Sequence, residues 1–199
     1  MKAIAKLLCL LTLAATACFV AFSSGEAMEK KAENPVVVME TGMGAITIEL
    51  LRDRAPKTVA NFLEYVQTGF YKDTIFHRVI KGFMIQGGGL SAAMAPKPTR
   101  PPIENEAANW EKNVRGAVAM ARTSEVHSAT AQFFINTVNN AFLDHRSATP
   151  EGFGYCVFGR VIAGMEVVDK IESSPTGNKG MFRDVPIEPV LIKDVRLKD

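Results

Sequence analysis

The sequence predicts a mainly β fold, an antiparallel sheet closed on itself with helices packed on its ends. Three observations carry this. Short apolar runs bounded by turn residues recur along the chain, about eight in all. Only two stretches show the spacing of an amphipathic helix. Strands that follow one another with few crossover helices pair antiparallel, and closure removes their edges.

The elements follow in order. Val36-Val37-Val38-Met39 reads as a buried strand, Thr41-Gly42-Met43-Gly44 as a hairpin turn, and Ala45 to Leu50 as the returning strand. In that strand Ile46, Ile48 and Leu50 share one face, with Thr47 and Glu49 on the other. Ala55-Pro56-Lys57 opens a helix with proline in the first turn, where its missing N–H is harmless. Val59, Phe62, Leu63 and Val66 form its apolar stripe, and Gly69 suits the left-handed position past its end. Further strands are predicted over 74–80, 83–87, 116–121, 132–136, 156–161 and 189–197. A shorter helix covers Met165 to Glu172, with Met165, Val168 and Ile171 inward. Two long connections are expected: one from Gly87 to Asn113, rich in proline, and one from Asp144 to Gly154. There is no internal repeat and no second domain.

Composition sets the outer bounds. The 199 residues are 47% hydrophobic and 22% charged, with 23 Lys and Arg against 21 Asp and Glu. This excludes collagen-like, disordered and polytopic membrane classes, and a net charge of +2 does not indicate a nucleic-acid partner. Lys2 and Lys6 precede an uncharged run from Leu7 to Phe22, and small and polar residues follow up to Ala27, so residues 1–27 read as a secretory signal peptide cleaved before Met28. Residues 28–35 are then a short polar tether, and 36–199 the folded domain. Export, to the periplasm, is the expected localisation. One competing reading keeps the apolar run as an uncleaved membrane anchor, although it is shorter than the roughly 18 to 20 residues a span needs; another takes Ala15-Thr16-Ala17-Cys18 as a lipoprotein box, which would anchor the mature domain to a membrane through Cys18; otherwise no membrane contact is expected. Removal of the leader leaves 21 basic and 20 acidic residues. It also leaves Cys156 alone, with no intrachain disulfide possible, and its position beside Val157 and Phe158 marks a buried strand residue rather than a reactive thiol.

The familiar catalytic constellations are missing. His77, His127 and His145 lie far apart without a cysteine pair, so no metal site is expected. The run Gly87-Gly88-Gly89 lacks the Lys-Ser/Thr of a phosphate loop, and there is no G-x-S-x-G. What remains is one arginine among apolar and amide side chains. Alternation in 76–80 places Phe76, Arg78 and Ile80 on one face, which suits either a guanidinium held between apolar neighbours or an edge arginine reaching water. In 132–136 the same period places Gln132, Phe134 and Asn136 together, opposite Phe133 and Ile135. This face suits either an aromatic on a solvated surface or a peptide site, where amides bond the backbone while the ring holds an apolar side chain. Without more, a small exported barrel holding an apolar ligand inside is an alternative, but the inward candidates Ile46, Ile48, Phe133, Ile135 and Val157 are large enough to fill the interior.

The stretch 71–88 (YKDTIFHRVIKGFMIQGG) resembles the signature of the cyclophilin-type peptidyl-prolyl cis-trans isomerases. The stretches 116–123 (GAVAMART), 128–136 (SATAQFFIN) and 157–161 (VFGRV) resemble that family's later blocks, and the likeness runs in order from Val36 to Leu197. The resemblance implies a closed eight-stranded antiparallel β-barrel capped by two α-helices, with the site on its outer surface. It implies isomerisation of X-Pro bonds in unfolded or flexible polypeptides, by a monomer that needs no cofactor. Arg78 matches the family's catalytic arginine. Phe83, Met84, Phe134 and Leu143 match its proline pocket, Gln86 and Gln132 the polar groups near the peptide, and Ala121 and Arg122 the segment bonding the substrate backbone. Three positions depart from the common eukaryotic pattern: Arg122 replaces Asn, Phe142 replaces Trp, and Tyr155 stands where His is usual. Phe142 and Tyr155 resemble the bacterial branch, and the export signal suggests its periplasmic members. Loss of the indole N–H at Phe142 implies weak binding of cyclosporin. The second functional class compatible with the same pocket is a chaperone module that holds proline-containing segments, with isomerisation incidental.

Overall fold

The structure, a computed structural model, describes residues 33–198. The leader over 1–27, with Cys9 and Cys18, and most of the tether lie outside the described residues. The last tether residues belong to the fold: the Pro35 carbonyl accepts from Leu50 N at 2.8 Å, and Asn34 Nδ2 donates to Glu49 Oε1 at 3.0 Å.

Strands β1 (Val36–Thr41), β2 (Gly44–Leu50), β3 (Thr74–Ile80), β4 (Met84–Ser91), β5 (Ala117–Met120), β6 (Phe133–Asn136), β7 (Val157–Ala163) and β10 (Val190–Leu197) close a barrel in the order β1-β10-β3-β4-β6-β5-β7-β2, with every neighbouring pair antiparallel. The β1–β2 hairpin forms as predicted. Its inward residues Val37, Met39, Ile46, Ile48 and Leu50 are buried, and Thr41 ties the turn by donating to the Gly44 carbonyl at 2.6 Å. Helix α1 (Pro56–Gln67) buries the predicted stripe. Its Phe62 packs on Tyr71, Phe133 and Phe158 with ring centroids 5.0, 6.0 and 5.1 Å away. Helix α2 (Met165–Glu172) packs against β2, β3 and β4 and buries Val167, Val168 and Ile171, while Met165 is only half-buried.

Four expectations need correction. First, β4 continues through Gly87-Gly88-Gly89 to Ser91 instead of ending in a loop. A Cβ on Gly88 would stand 2.6 Å from Phe133 and 2.9 Å from Tyr71, and its φ of +80° is left-handed, so glycine is what lets the strand pass against the core. Second, Val157 does not face the barrel interior. Phe158 does, and Val157 joins a separate apolar cluster outside the barrel with Leu51, Met84, Ala117, Ala119, Phe134 and Leu143. Third, Phe76 does not share a face with Arg78. Phe76 pairs with Gly87 and Arg78 with Gln86, so β3 carries an extra residue at His77 and alternation breaks there. Phe76 and Val79 then point into the core, while Arg78 and Ile80 face out. Fourth, a two-stranded hairpin outside the barrel, β8 (Thr176–Lys179) and β9 (Phe182–Pro186), was not expected; β8 is exposed at every residue and has no apolar pattern.

Candidate active site

The outer apolar cluster forms the floor of a groove of about 540 Å³. Alanine at 117 and 119 on the outward face of β5 leaves room above the sheet, and Met84, Phe134 and Leu143 fill it as a buried apolar depression with Phe83 at its edge. Tyr155 closes one side, its ring edge-on to Phe134 at 5.6 Å. Such a concavity, apolar with a few polar groups aimed into it, is the usual form of a ligand site.

The polar groups come from β3, β4 and the segment before β6. Arg78 is exposed, and its side chain's one hydrogen bond among the described residues is long, Nη1 to Gln86 Oε1 at 3.5 Å. Gln86 Nε2 donates in turn to Gln132 Oε1 at 2.9 Å. The guanidinium is therefore oriented by an amide chain while most of its donors are uncommitted. His77 lies buried beside it with Nδ1 unpartnered, and burial, helped by the neighbouring Arg78 charge, pulls its pKa down to about 4. Near neutral pH His77 is uncharged.

Arg122 is held differently. Its Cζ lies 4.7 Å from the centroid of the Tyr155 ring, Nε donates to the Gly154 carbonyl at 3.1 Å, and Nη1 to those of Thr123 and Ser124 at 3.0 and 3.3 Å. Ala121 N donates to the Gln132 carbonyl at 2.9 Å, which joins the two segments lining this end.

The structure thus brings Arg78, Phe83, Met84, Gln86, Ala121, Arg122, Gln132, Phe134, Leu143 and Tyr155 around one groove. Phe142 is not among the lining residues. The short 3-10 turn Ala141–Leu143 points Leu143 inward and Phe142 outward, where it is 63% exposed and stacks on Phe83 at 5.6 Å. Asn136 shares the face of Phe134 but lies beneath the surface. Its Nδ2 donates to the carbonyl of Ala117 and to Asn113 Oδ1, and its Oδ1 accepts from Asn140 at 2.7 Å. Asn140 also donates to the Phe83 carbonyl at 2.9 Å, and Asp144 Oδ1 accepts from Asn113 N at 2.8 Å. This buried network holds the two turns that carry Phe83 and Leu143.

The sequence placed Asn136 on the peptide-facing wall, whereas it is buried as scaffold; Asn113 and Asn140 were missed, as were Leu90 and residues Met181 to Asp184 of the β8–β9 hairpin, which line the groove on the β3 side. Polar residues in a buried apolar setting were the available signal for the first group; the hairpin gave none. Among the described residues no three His, Cys, Asp or Glu side chains gather as metal ligands would.

Residues 36–197 match the family model described as cyclophilin type peptidyl-prolyl cis-trans isomerase. The chain is 54% identical over 164 residues to peptidyl-prolyl cis-trans isomerase B of Escherichia coli K12, covering 82% of this chain and 100% of that protein. It is also 54% identical over 161 residues to a peptidyl-prolyl cis-trans isomerase of Streptomyces antibioticus, covering 81% and 97%. Among solved structures, a Cryptosporidium parvum cyclophilin type isomerase crystallised in the presence of the dipeptide Ala-Pro superposes with a TM-score of 0.68 at 30% identity, over 82% of this chain and 99% of that one. A barrel of this topology, an outward arginine above an apolar depression, and a match over nearly every described residue agree: the chain belongs to the cyclophilin-type peptidyl-prolyl cis-trans isomerases.

Proposed function

We propose that this chain isomerises X-Pro bonds in exported polypeptides without covalent chemistry, with Arg78 stabilising the twisted amide while the depression formed by Phe83, Met84, Phe134 and Leu143 holds the proline ring. The observation that carries this is the outward guanidinium, oriented by Gln86 and otherwise uncommitted, at the edge of that depression. The Ala-Pro dipeptide named with the Cryptosporidium parvum structure supports a peptidyl-proline ligand.

Rotation about the amide is opposed by about 18–20 kcal/mol of lost resonance, whereas the two ends differ by only about 0.5–1 kcal/mol for X-Pro. The catalyst needs only to bind the rotated state more tightly than either planar one. In the perpendicular geometry the nitrogen regains its lone pair and accepts a hydrogen bond that the planar amide does not. A guanidinium in place before the rotation supplies that bond without reorganising. Burial of the ring anchors one side of the rotating bond, and the Gln86–Gln132 pair and the Ala121–Arg122 segment offer polar groups to the peptide on the other.

Arg78→Ala is expected to fold normally and to lose about 10²–10³-fold in kcat/KM on an X-Pro peptide. Catalysis of a proline-limited refolding reaction should fall in parallel, with peptide binding largely retained. Undiminished turnover in this variant would remove Arg78 from the mechanism; loss of binding and turnover together would favour a holding role for the pocket. The export component rests on Lys2, Lys6 and the uncharged run to Phe22 in the sequence.

A further inference from the structure

The β8–β9 hairpin belongs to no barrel ladder, yet it supplies four consecutive groove residues, Met181, Phe182, Arg183 and Asp184. β9 lies against β3, the strand that carries Arg78. In a regular strand neighbouring side chains alternate, so Arg183 and Asp184 would face opposite ways. Asp184 instead has a left-handed φ of +59°, which a non-glycine residue rarely adopts, and both residues line the groove. Met181, at the hairpin tip, is 89% exposed, and Phe182 is half-buried behind it.

The charge balance of the groove is uneven. Three guanidinium groups, on Arg78, Arg122 and Arg183, face one carboxylate, that of Asp184. Arg122 is committed to three carbonyls and the Tyr155 ring. Arg78 is assigned above to the rotating amide. Arg183 is exposed, and its side chain makes no hydrogen bond or ion pair with any described residue, so its charge is free for a ligand.

We infer that the hairpin wall is a specificity subsite that reads residues flanking the substrate proline, Arg183 selecting an acidic side chain and Met181 and Phe182 covering its apolar stem. The preferred substrates are then X-Pro segments with Glu or Asp near the proline, a refinement that rests on the isomerase reading. Charge complementarity of this kind sorts partners more than it adds affinity. An exposed pair of this sort corresponds to about a two- to five-fold preference.

The test uses X-Pro peptides carrying Glu, Gln or Lys in turn at the two positions before and the two after the proline. kcat/KM is measured for the wild type, Arg183→Gln and Arg183→Glu, and affinity separately by titration calorimetry. The expected result is a Glu-over-Lys preference of about two- to five-fold at one or more positions. It should sit mainly in KM, weaken in high salt, vanish in Arg183→Gln and invert in Arg183→Glu. Equal kcat/KM for Glu and Lys peptides at every position, or a Glu preference that survives Arg183→Glu, overturns the subsite. The two readings fail separately: acceleration without charge preference removes the subsite alone, whereas charge-selective binding without acceleration on any peptide removes the isomerase reading alone.

Discussion

Arg78 owes its orientation to one extra residue. Strict alternation along β3 would pair it with the Phe76 face, and Phe76 is a fully buried core residue that meets Phe133 edge-on at 6.2 Å. The bulge at His77 breaks the period, so the apolar ring goes in and the guanidinium goes out. The same bulge buries His77, whose pKa is lowered from 6.5 to about 4, first by burial and then by the charge of Arg78. The sign follows from proton counting. Between pH 6.5 and about 4 the unfolded chain binds a proton at this residue that the native state does not. The stabilisation is therefore complete above about pH 6.5 and is lost as the pH falls toward 4, by roughly 3 kcal/mol in all. His77→Gln should flatten this dependence. Urea midpoints of both proteins at pH 7, 5.5 and 4 measure it, and an unchanged difference between pH 7 and 4 in the variant would assign the effect to other groups.

The elements are held together by side chains remote in sequence. Ala55 gives α1 no side-chain cap, and the first turn contains no acidic residue. Glu106, from the long connection before β5, takes that place: its carboxylate accepts from Thr58 N at 2.8 Å, Thr58 Oγ1 at 2.7 Å and Lys57 N at 3.1 Å. A carboxylate on the free amides of a helix start satisfies donors and complements the dipole. The buried amides under the site act similarly on turns. Asn140 links the Phe83 carbonyl, which also accepts from Thr137 N at 3.1 Å, to the buried Asn136, so Asn140→Ala removes the donor to Asn136 Oδ1 and one of the two to Phe83 and should lower stability by about 1–3 kcal/mol. Because Asn140 positions the proline depression without lining it, the variant should raise KM for X-Pro peptides more than it lowers kcat, the reverse of Arg78→Ala. Steady-state kinetics on one peptide separates the two patterns, and a loss confined to kcat would argue against the positioning role.

At the scale of the whole molecule, large side chains fill the barrel and small ones are placed outside it. Phe76, Phe133, Phe158, Ile46 and Ile48 occupy the interior, which leaves no room for a ligand there, while Ala117 and Ala119 open the outer face. Cys156 is buried beside Thr58, its Sγ 3.5 Å from Oγ1, and burial pushes the thiol up to about 12, so it remains protonated and unreactive in the native state. The fold thus depends on its apolar core, with no disulfide among the described residues to support it. The family match starts at Val36, after the segment read as a leader and tether. If that segment directs export, mass spectrometry of the protein from its native host should find a mature chain starting at Met28. A diacylated Cys18 would establish the lipoprotein reading instead, and an intact Met1 would rule out cleavage at either position.

Local pattern carried much of this protein. The period of two in 45–50, the helical stripe from Val59 to Val66 and the glycine after it, and the order of short apolar runs determine the strands, the helices and the closed antiparallel class, because each depends on neighbours a few residues apart. The pattern around Arg78 and Gln132 left their roles open, and the family resemblance marked Arg78, Gln86 and Gln132 as the chemical face. Tertiary structure decided the rest. The bulge that separates Phe76 from Arg78, the passage of Gly88 against Phe133, the capping of α1 by Glu106, the amide network beneath Phe83 and the placement of an exposed hairpin against β3 all join segments distant in the chain. Periodicity reports which side of an element is apolar. Which remote group satisfies a buried donor, and which polar loop comes to rest beside a groove, is settled only when the barrel closes.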